Sequence, residues 1–263
     1  MELTLHGARI HYEREGAGIP VIFLHAGIAD ARMWAAQADF FAKDFDVIRP
    51  DTRGYGASDL AHGPWSDTED LLALIDALDL KPAHLVGCSM GGAIAIDFAL
   101  QHPERISKLV LVGATFGGFV FRPEHKPLFA KVMAARKASD FEAWNNAMIE
   151  LFVDGPRRRP GYVAKEIREL VHDMNERAVR TDAEQTPPVD MEPPASERLG
   201  EITAPTLVVI GDEDVPTALE ASDQLAEAIP NARKVVIHDA AHLPNMEHPD
   251  EFNRLVLDFL LED

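Results

Sequence analysis

A doubly wound, mostly parallel β-sheet of the α/β class, with a helical segment inserted late in the chain, is the architecture this sequence predicts. Three observations predict it. Short continuous apolar runs at residues 20–24, 108–113 and 205–211 alternate with stretches of helical periodicity, as strands covered on both faces by helices do. A glycine-rich turn, Gly87-Cys88-Ser89-Met90-Gly91-Gly92, joins one apolar run to a helix-forming one. The alternation then stops at about residue 118 and resumes at about 198.

Taken in order, residues 3–5 and 9–12 flank His6-Gly7-Ala8 with period-two alternation and read as a hairpin. Residues 16–18 form a loop, 20–24 a buried strand, and Asp30 caps a helix over 31–42. A strand at 45–48 leads into the glycine-punctuated loop 50–58. Leu71, Leu72, Ile75 and Leu78 give residues 67–78 a helical stripe. Strand 84–86, helix 93–99 and strand 108–113 complete the first half. Residues 126–136, 141–152 and 162–177 read as helices of the insert. Residues 182–197, with Pro187, Pro188, Pro193 and Pro194, read as an extended connector back. Strand 205–211, helix 219–228, strand 232–238, loop 239–245 and helix 249–261 close the chain. The expected division is a core of residues 1–117 and 198–263, with a helical cap at 118–197.

At 263 residues the chain can bury a sizeable core. Its 25 Lys+Arg against 44 Asp+Glu give a formal charge of −19, which argues against nucleic acid or an anionic membrane as partners. The single cysteine, Cys88, excludes an internal disulfide and fits a reducing compartment. The first residues lack the basic and apolar segments of a signal peptide, and no run reaches membrane-spanning length. The expectation is a cytoplasmic protein acting on a small molecule. No histidine–carboxylate spacing suggests a metal and no glycine-rich loop carries a phosphate-binding lysine, so no cofactor is expected.

The chemistry is written at Gly87-x-Ser89-x-Gly91. A serine on so tight a strand-to-helix turn tolerates no bulky flanks, and the turn lifts its hydroxyl clear of the sheet. The Met90 N–H then lies at a helix N-terminus, where negative charge is favoured. A serine hydroxyl is too weakly acidic to attack unaided. A histidine must take its proton, and an acid must hold that imidazole in the right tautomer. His242 and His238 are the late histidines, and Asp212, Glu213 and Asp214 the nearby acids.

His25-x-Gly27 after one strand, Asp51-x-Arg53-Gly54-x-Gly56-x-Ser58 after the next, and Gly87-Cys88-Ser89-Met90-Gly91-Gly92 together resemble the α/β-hydrolase superfamily. The overall look is nearest its enol-lactone hydrolases and small arylesterases. The resemblance implies Ser89 as nucleophile, His242 as base and Asp214 as its acid, because the acid is the third residue after a strand-ending glycine. Gly27 and Met90 would supply the oxyanion-hole N–H groups, although this chain has His25-Ala26-Gly27 where His-Gly-x is commoner. The cap would shape an acyl pocket, for which Ile28, Phe116, Trp144 and Leu243 are the candidate lining. The stripe Phe141, Trp144, Met148 and Phe152 reads first as packing and second as substrate lining. Arg157-Arg158-Arg159 is expected to point into solvent, with a substrate-carboxylate site as the alternative. Asp51 and Arg53 are expected to form a structural ion pair, His25 to be satisfied by loop backbone, and Cys88 to be a buried thiol. The expected activity is hydrolysis of a carboxylic ester or lactone through an acyl-enzyme. Cofactor-free perhydrolysis and carbon–carbon bond hydrolysis use the same residues and stay open, as does, more remotely, a ligand-binding signalling protein of the same fold.

Overall fold

A computed structural model of the chain describes residues 1–262. Eight strands form one sheet: β1 (Glu2–Leu5), β2 (Ala8–Gly16), β3 (Ile19–Leu24), β4 (Phe45–Pro50), β5 (Ala83–Cys88), β6 (Ile106–Val112), β7 (Thr206–Gly211) and β8 (Ala232–Ile237). Their order is β1-β2-β4-β3-β5-β6-β7-β8. The first two pairings are antiparallel and all later ones parallel. The helices are α1 (Ala35–Phe41), α2 (Asp67–Ala77), α3 (Met90–Gln101), α4 (Ala130–Ala138), α5 (Phe141–Met148), α6 (Lys165–Thr181), α7 (Pro216–Ala228), α8 (Pro244–Glu247) and α9 (Pro249–Leu261).

Alternating side chains of the central strands face opposite layers. Ile22, Leu24, Leu85, Leu109 and Leu111 pack toward α2 and α3, whereas Val21, Phe23, Val86, Val110 and Val209 pack toward α1 and α9. Both faces are therefore covered, which is why these strands read as unbroken apolar runs. A third cluster joins Val132, Trp144, Leu151 and Val179, from the helices between β6 and β7, to Ile210, Val215 and Ala218. It seats those helices on the end of β7 and the start of α7.

Chain order reverses between β3 and β5, which lie side by side with Leu24 opposite Gly87. In an open α/β sheet such a switch point leaves a crevice beyond the carboxyl ends of the strands. The register places the ends of β5 and β6 level, with Cys88 opposite Val112, and the ends of β7 and β8 level, with Gly211 opposite Ile237.

The elements depart from expectation mainly at boundaries. The helix expected over 31–42 begins as a 3-10 turn at Ala31–Trp34, with Asp30 accepting from the Arg32 N–H. The helix expected over 141–152 widens into a π-turn at Ile149–Asp154, and the one expected over 162–177 runs from Lys165 to Thr181. The cause of the last shift is Asp154. Its buried carboxylate accepts the Gly161 and Val163 N–H groups and so holds residues 155–163 as a loop. Asp51 and Arg53 do not pair with each other: Asp51 accepts the Ala31 and Ala57 N–H groups, while Arg53 forms a fork with Asp70 on α2. Each finds a nearer partner across the fold, so the expected ion pair is replaced by two separate ties. Among the described residues, no helix is long and apolar enough to cross a membrane.

Candidate active site

Ser89 occupies the turn between β5 and α3 at φ +51°, ψ −111°. A positive φ is strained for a residue with a Cβ, and its surroundings enforce it. The Ser89 N–H donates to the Val112 carbonyl at 2.8 Å, and the Gly91 N–H donates to the His25 carbonyl at 3.1 Å. A Cβ on Gly87 would run into the Gly91 carbonyl, so the turn closes only with glycine there.

Asp214 and His242 arrive from the neighbouring strand ends. Asp214 follows β7, and the His242 loop follows β8. The imidazole Nδ1 lies 3.0 and 2.9 Å from the two carboxylate oxygens of Asp214, and the pair is almost sealed from solvent, at 4% and 1% exposure. With both oxygens facing Nδ1, that nitrogen carries the proton and Nε2 is left as the acceptor. Asp214 Oδ1 also accepts the Val215 N–H at 2.6 Å. The pair rests on Gly113, the residue after Val112: a Cβ there would lie 3.1 Å from both Asp214 Oδ2 and His242 Nδ1. Ser89 is tied to Val112 and the imidazole packs on Gly113, so both flank one dipeptide at the end of β6. Cys88 completes the junction, its Sγ 3.7 Å from the His242 carbonyl. Burial, and secondarily Asp214, pushes that thiol well above its ordinary range, which leaves it a neutral buried group.

The rival residues have other partners. Asp212 accepts from His238 at 2.8 Å and from the Asp239 N–H, and Glu213 pairs with Arg157. His238 itself lies one residue beyond β8, in solvent.

Gly27 lies against Met90 and Tyr55: a Cβ on it would sit 3.6 Å from Met90 Cβ and 3.6 Å from the Tyr55 hydroxyl. Neither the Gly27 N–H nor the Met90 N–H, at the first position of α3, meets an acceptor among the described residues. Two unsatisfied amides beside the strained serine are the arrangement needed to receive a developing oxyanion. His25 buttresses this corner. Its Nδ1 donates to the Ala26 carbonyl at 2.9 Å and its Nε2 accepts the Thr52 N–H at 3.0 Å. Burial pushes this imidazole below its ordinary range, in keeping with a neutral ring bonded to loop backbone. The Tyr55 ring packs on it at 4.9 Å, and burial raises the Tyr55 hydroxyl to about 12, so it stays a donor.

The candidate lining residues are dispersed. Ile28 follows Gly27 and Leu243 follows His242, both buried in the layer with α1 and α9. Phe116 is buried in the opposite layer and packs edge-on against Phe119. Trp144 packs in the third cluster, under the Arg136 guanidinium. Phe152, from the π-turn, meets the His242 imidazole directly. Its ring is 4.9 Å from the imidazole and its carbonyl accepts the His242 N–H at 3.2 Å. Nothing in the apolar periodicity of residues 141–152 distinguishes Phe152 from a core residue, because the π-turn that aims it carries no sequence signature. From Phe152 a succession of rings runs through Phe129 and Phe121 to Phe119 and Phe116, each 5.4–6.4 Å from the next. Phe121 is 52% exposed.

The basic run is only partly in solvent. Arg159 is exposed and Arg157 is an exposed partner of Glu213, but Arg158 is buried against Glu247. The expectation that all three point outward is corrected for Arg158, because Glu247, at the end of α8 just past the His242 loop, lies beneath it.

A model of the α/β hydrolase fold matches residues 19–249. The chain is 34% identical to a 2-hydroxy-6-oxo-6-phenylhexa-2,4-dienoate hydrolase of Burkholderia cepacia, over 98% of this chain and 93% of that protein. Among solved structures, Est816, described as an N-acyl homoserine lactone degrading enzyme, superposes with a TM-score of 0.79 at 30% identity, over 98% of this chain and 100% of that one. The enol-lactonase of Burkholderia xenovorans LB400 superposes with a TM-score of 0.82 at 26% identity, over the full length of both. Matched along nearly its whole length in sequence and in fold, the chain belongs to the α/β-hydrolase family.

Proposed function

We propose that the protein hydrolyses a carboxylic ester or lactone through an acyl-enzyme, with residues 118–197 serving as a cap over the site. The observation that carries this reading is the sealed Asp214–His242 pair packed on Gly113, the residue after the Val112 whose carbonyl holds the N–H of a serine at positive φ. Ser89 Oγ attacks the acyl carbon while His242 Nε2 takes its proton, and the carbonyl oxygen gains charge against the Gly27 and Met90 N–H groups. Collapse breaks the bond to the alcohol oxygen, which leaves with the proton from His242. Water then repeats the sequence on the acyl-enzyme and frees the acid. Asp214 stabilises the imidazolium at each stage.

The succession of rings from Phe152 outward favours an apolar acyl group. A second reading, carbon–carbon bond hydrolysis, is favoured by the relatives named as dienoate hydrolases. Such a substrate carries a carboxylate. The half-buried arginines of the cap are already engaged: Arg158 with Glu247, Arg168 with Asp154, and Arg177 with the Gly56 and Ser58 carbonyls. The ester or lactone reading asks for no further cation. The test is fluorophosphonate labelling and a panel of p-nitrophenyl esters, lactones and a dienoate ketone, with wild type and Ser89→Ala. Labelling and ester turnover lost in Ser89→Ala support the proposal. Persistence of both in the variant overturns it, and turnover confined to the dienoate ketone selects the second reading.

A further inference from the structure

Glu247, at the end of α8, divides its two buried oxygens between two tasks. Oε1 accepts the N–H of Ala241, the residue before His242, at 2.6 Å. Oε2 accepts from Arg158 Nη1 at 2.8 Å. The Arg158 and Glu247 side chains are only 5% and 7% exposed. Arg158 belongs to the loop that follows the π-turn, and its other amino group reaches Asp239, three residues before His242, at 3.0 Å. Its guanidinium stacks on Tyr162, 4.6 Å from the ring centre, and the Tyr162 hydroxyl also donates to Asp239.

The loop these groups hold is not in a relaxed conformation. Asp239 lies at φ +54°, a cost that surrounding bonds must cover. Its N–H is bound by Asp212 and its carbonyl by His248. From the other side the π-turn supplies the Phe152 carbonyl to the His242 N–H. The chain then passes so close at Gly155 that a Cβ there would lie 2.6 Å from the Glu213 carbonyl oxygen and 3.2 Å from Ala241. Asp154 closes the same loop through Gly161, Val163 and Arg168. The segment 149–163 and the His242 loop therefore meet along a shared polar seam, and the Arg158–Glu247 pair is its buried centre.

We infer that Arg158 and Glu247 are positioning residues for His242, so that the imidazole is set for proton transfer only while segment 149–163 is seated on its loop. This inference rests on the role of His242 as base proposed above. The pair touches no substrate. It acts by fixing the backbone on either side of the base, where a displacement of about 1 Å is worth roughly 10²-fold in rate. Removing one partner alone would strand a buried charge, so the informative variant removes both charges while keeping an acceptor for the Ala241 N–H: Arg158→Met with Glu247→Gln.

The experiment measures kcat and KM for p-nitrophenyl esters, per site titrated with fluorophosphonate, in wild type, the double variant and Arg158→Lys. The expected result is a fall in kcat of about 10- to 100-fold in the double variant, KM changed less than about three-fold, Ser89 phosphonylation slowed by a like factor, and substantial recovery of kcat in Arg158→Lys. Should that double variant not fold, Arg158→Gln with Glu247→Gln carries the same comparison, since it keeps an acceptor for the Ala241 N–H and strands no buried charge. A titratable variant with kcat within two-fold of wild type overturns the inference and leaves the functional proposal standing. A wild type that fluorophosphonate does not label overturns both.

Discussion

Replacing Asp214 by Asn tests the centre of the reaction with the smallest change of shape. In the wild type both carboxylate oxygens face His242 Nδ1, at 3.0 and 2.9 Å, in a site that water barely reaches. In the proposed mechanism His242 takes the serine proton, and the imidazolium then forms about 4 Å from the centre of negative charge. At an effective dielectric of about 20 that attraction is worth about 4 kcal/mol, which converts to roughly 10³-fold in kcat at about 1.4 kcal/mol per decade. The amide also presents an NH₂ to Nδ1, favouring the tautomer with its proton on Nε2, where the serine proton must go. The two effects act together, so the expected loss is about 10³- to 10⁴-fold. Burst kinetics with a p-nitrophenyl ester give kcat and the acylation rate, and circular dichroism checks that the fold persists. A folded Asp214→Asn within ten-fold of wild type would refute the assignment of Asp214 as the partner of the base, and with it the charge-stabilisation argument.

Other consequences follow from the same geometry. Gly87→Ala drives a Cβ into the Gly91 backbone and should cost about 3 kcal/mol or more, read as a lower urea midpoint at unchanged m-value. Asn245 donates to the Met33 carbonyl and Gln37, and Gln37 donates to Asn253. Asn245→Leu breaks this buried network and should cost about 1–3 kcal/mol in the same assay. At the start of α2, burial first and then the charges of Asp70 and Asp97 raise Asp67 to about 7. The folded state thus holds a proton that the unfolded chain releases near 4. This group's contribution is present below about pH 4 and is lost as pH rises through about 7. Asp67→Asn should raise the melting temperature more at pH 8 than at pH 5, and an equal change at both would count against a raised carboxyl there. Phe121→Ala, at the exposed middle of the rings, should lower kcat/KM for octanoate relative to acetate esters, and an unaltered chain-length ratio would exclude those rings as an acyl path.

Much of this protein is settled by short-range physics that the sequence carries openly. Unbroken apolar runs fix the two-faced strands, because a strand covered by helices on both sides has no polar face to display. The glycines around Ser89 fix the elbow, because backbone packs within contact distance on both sides of it. Ser89, Asp214 and His242 could be singled out because each falls within a short loop beyond a strand that the pattern locates. What the sequence does not hold is the choice of partner between segments far apart in the chain. Arg158 looks like one of three solvated charges until folding sets Glu247, 89 residues on, beneath it. Asp51 and Arg53 look like a pair until nearer groups claim each of them. Phe152 faces the His242 imidazole from a π-turn, which shifts the helical phase by part of a residue. Local sterics act over a few residues and leave a pattern there, whereas a buried ion pair is decided by which surfaces meet, and only the packed chain contains that information.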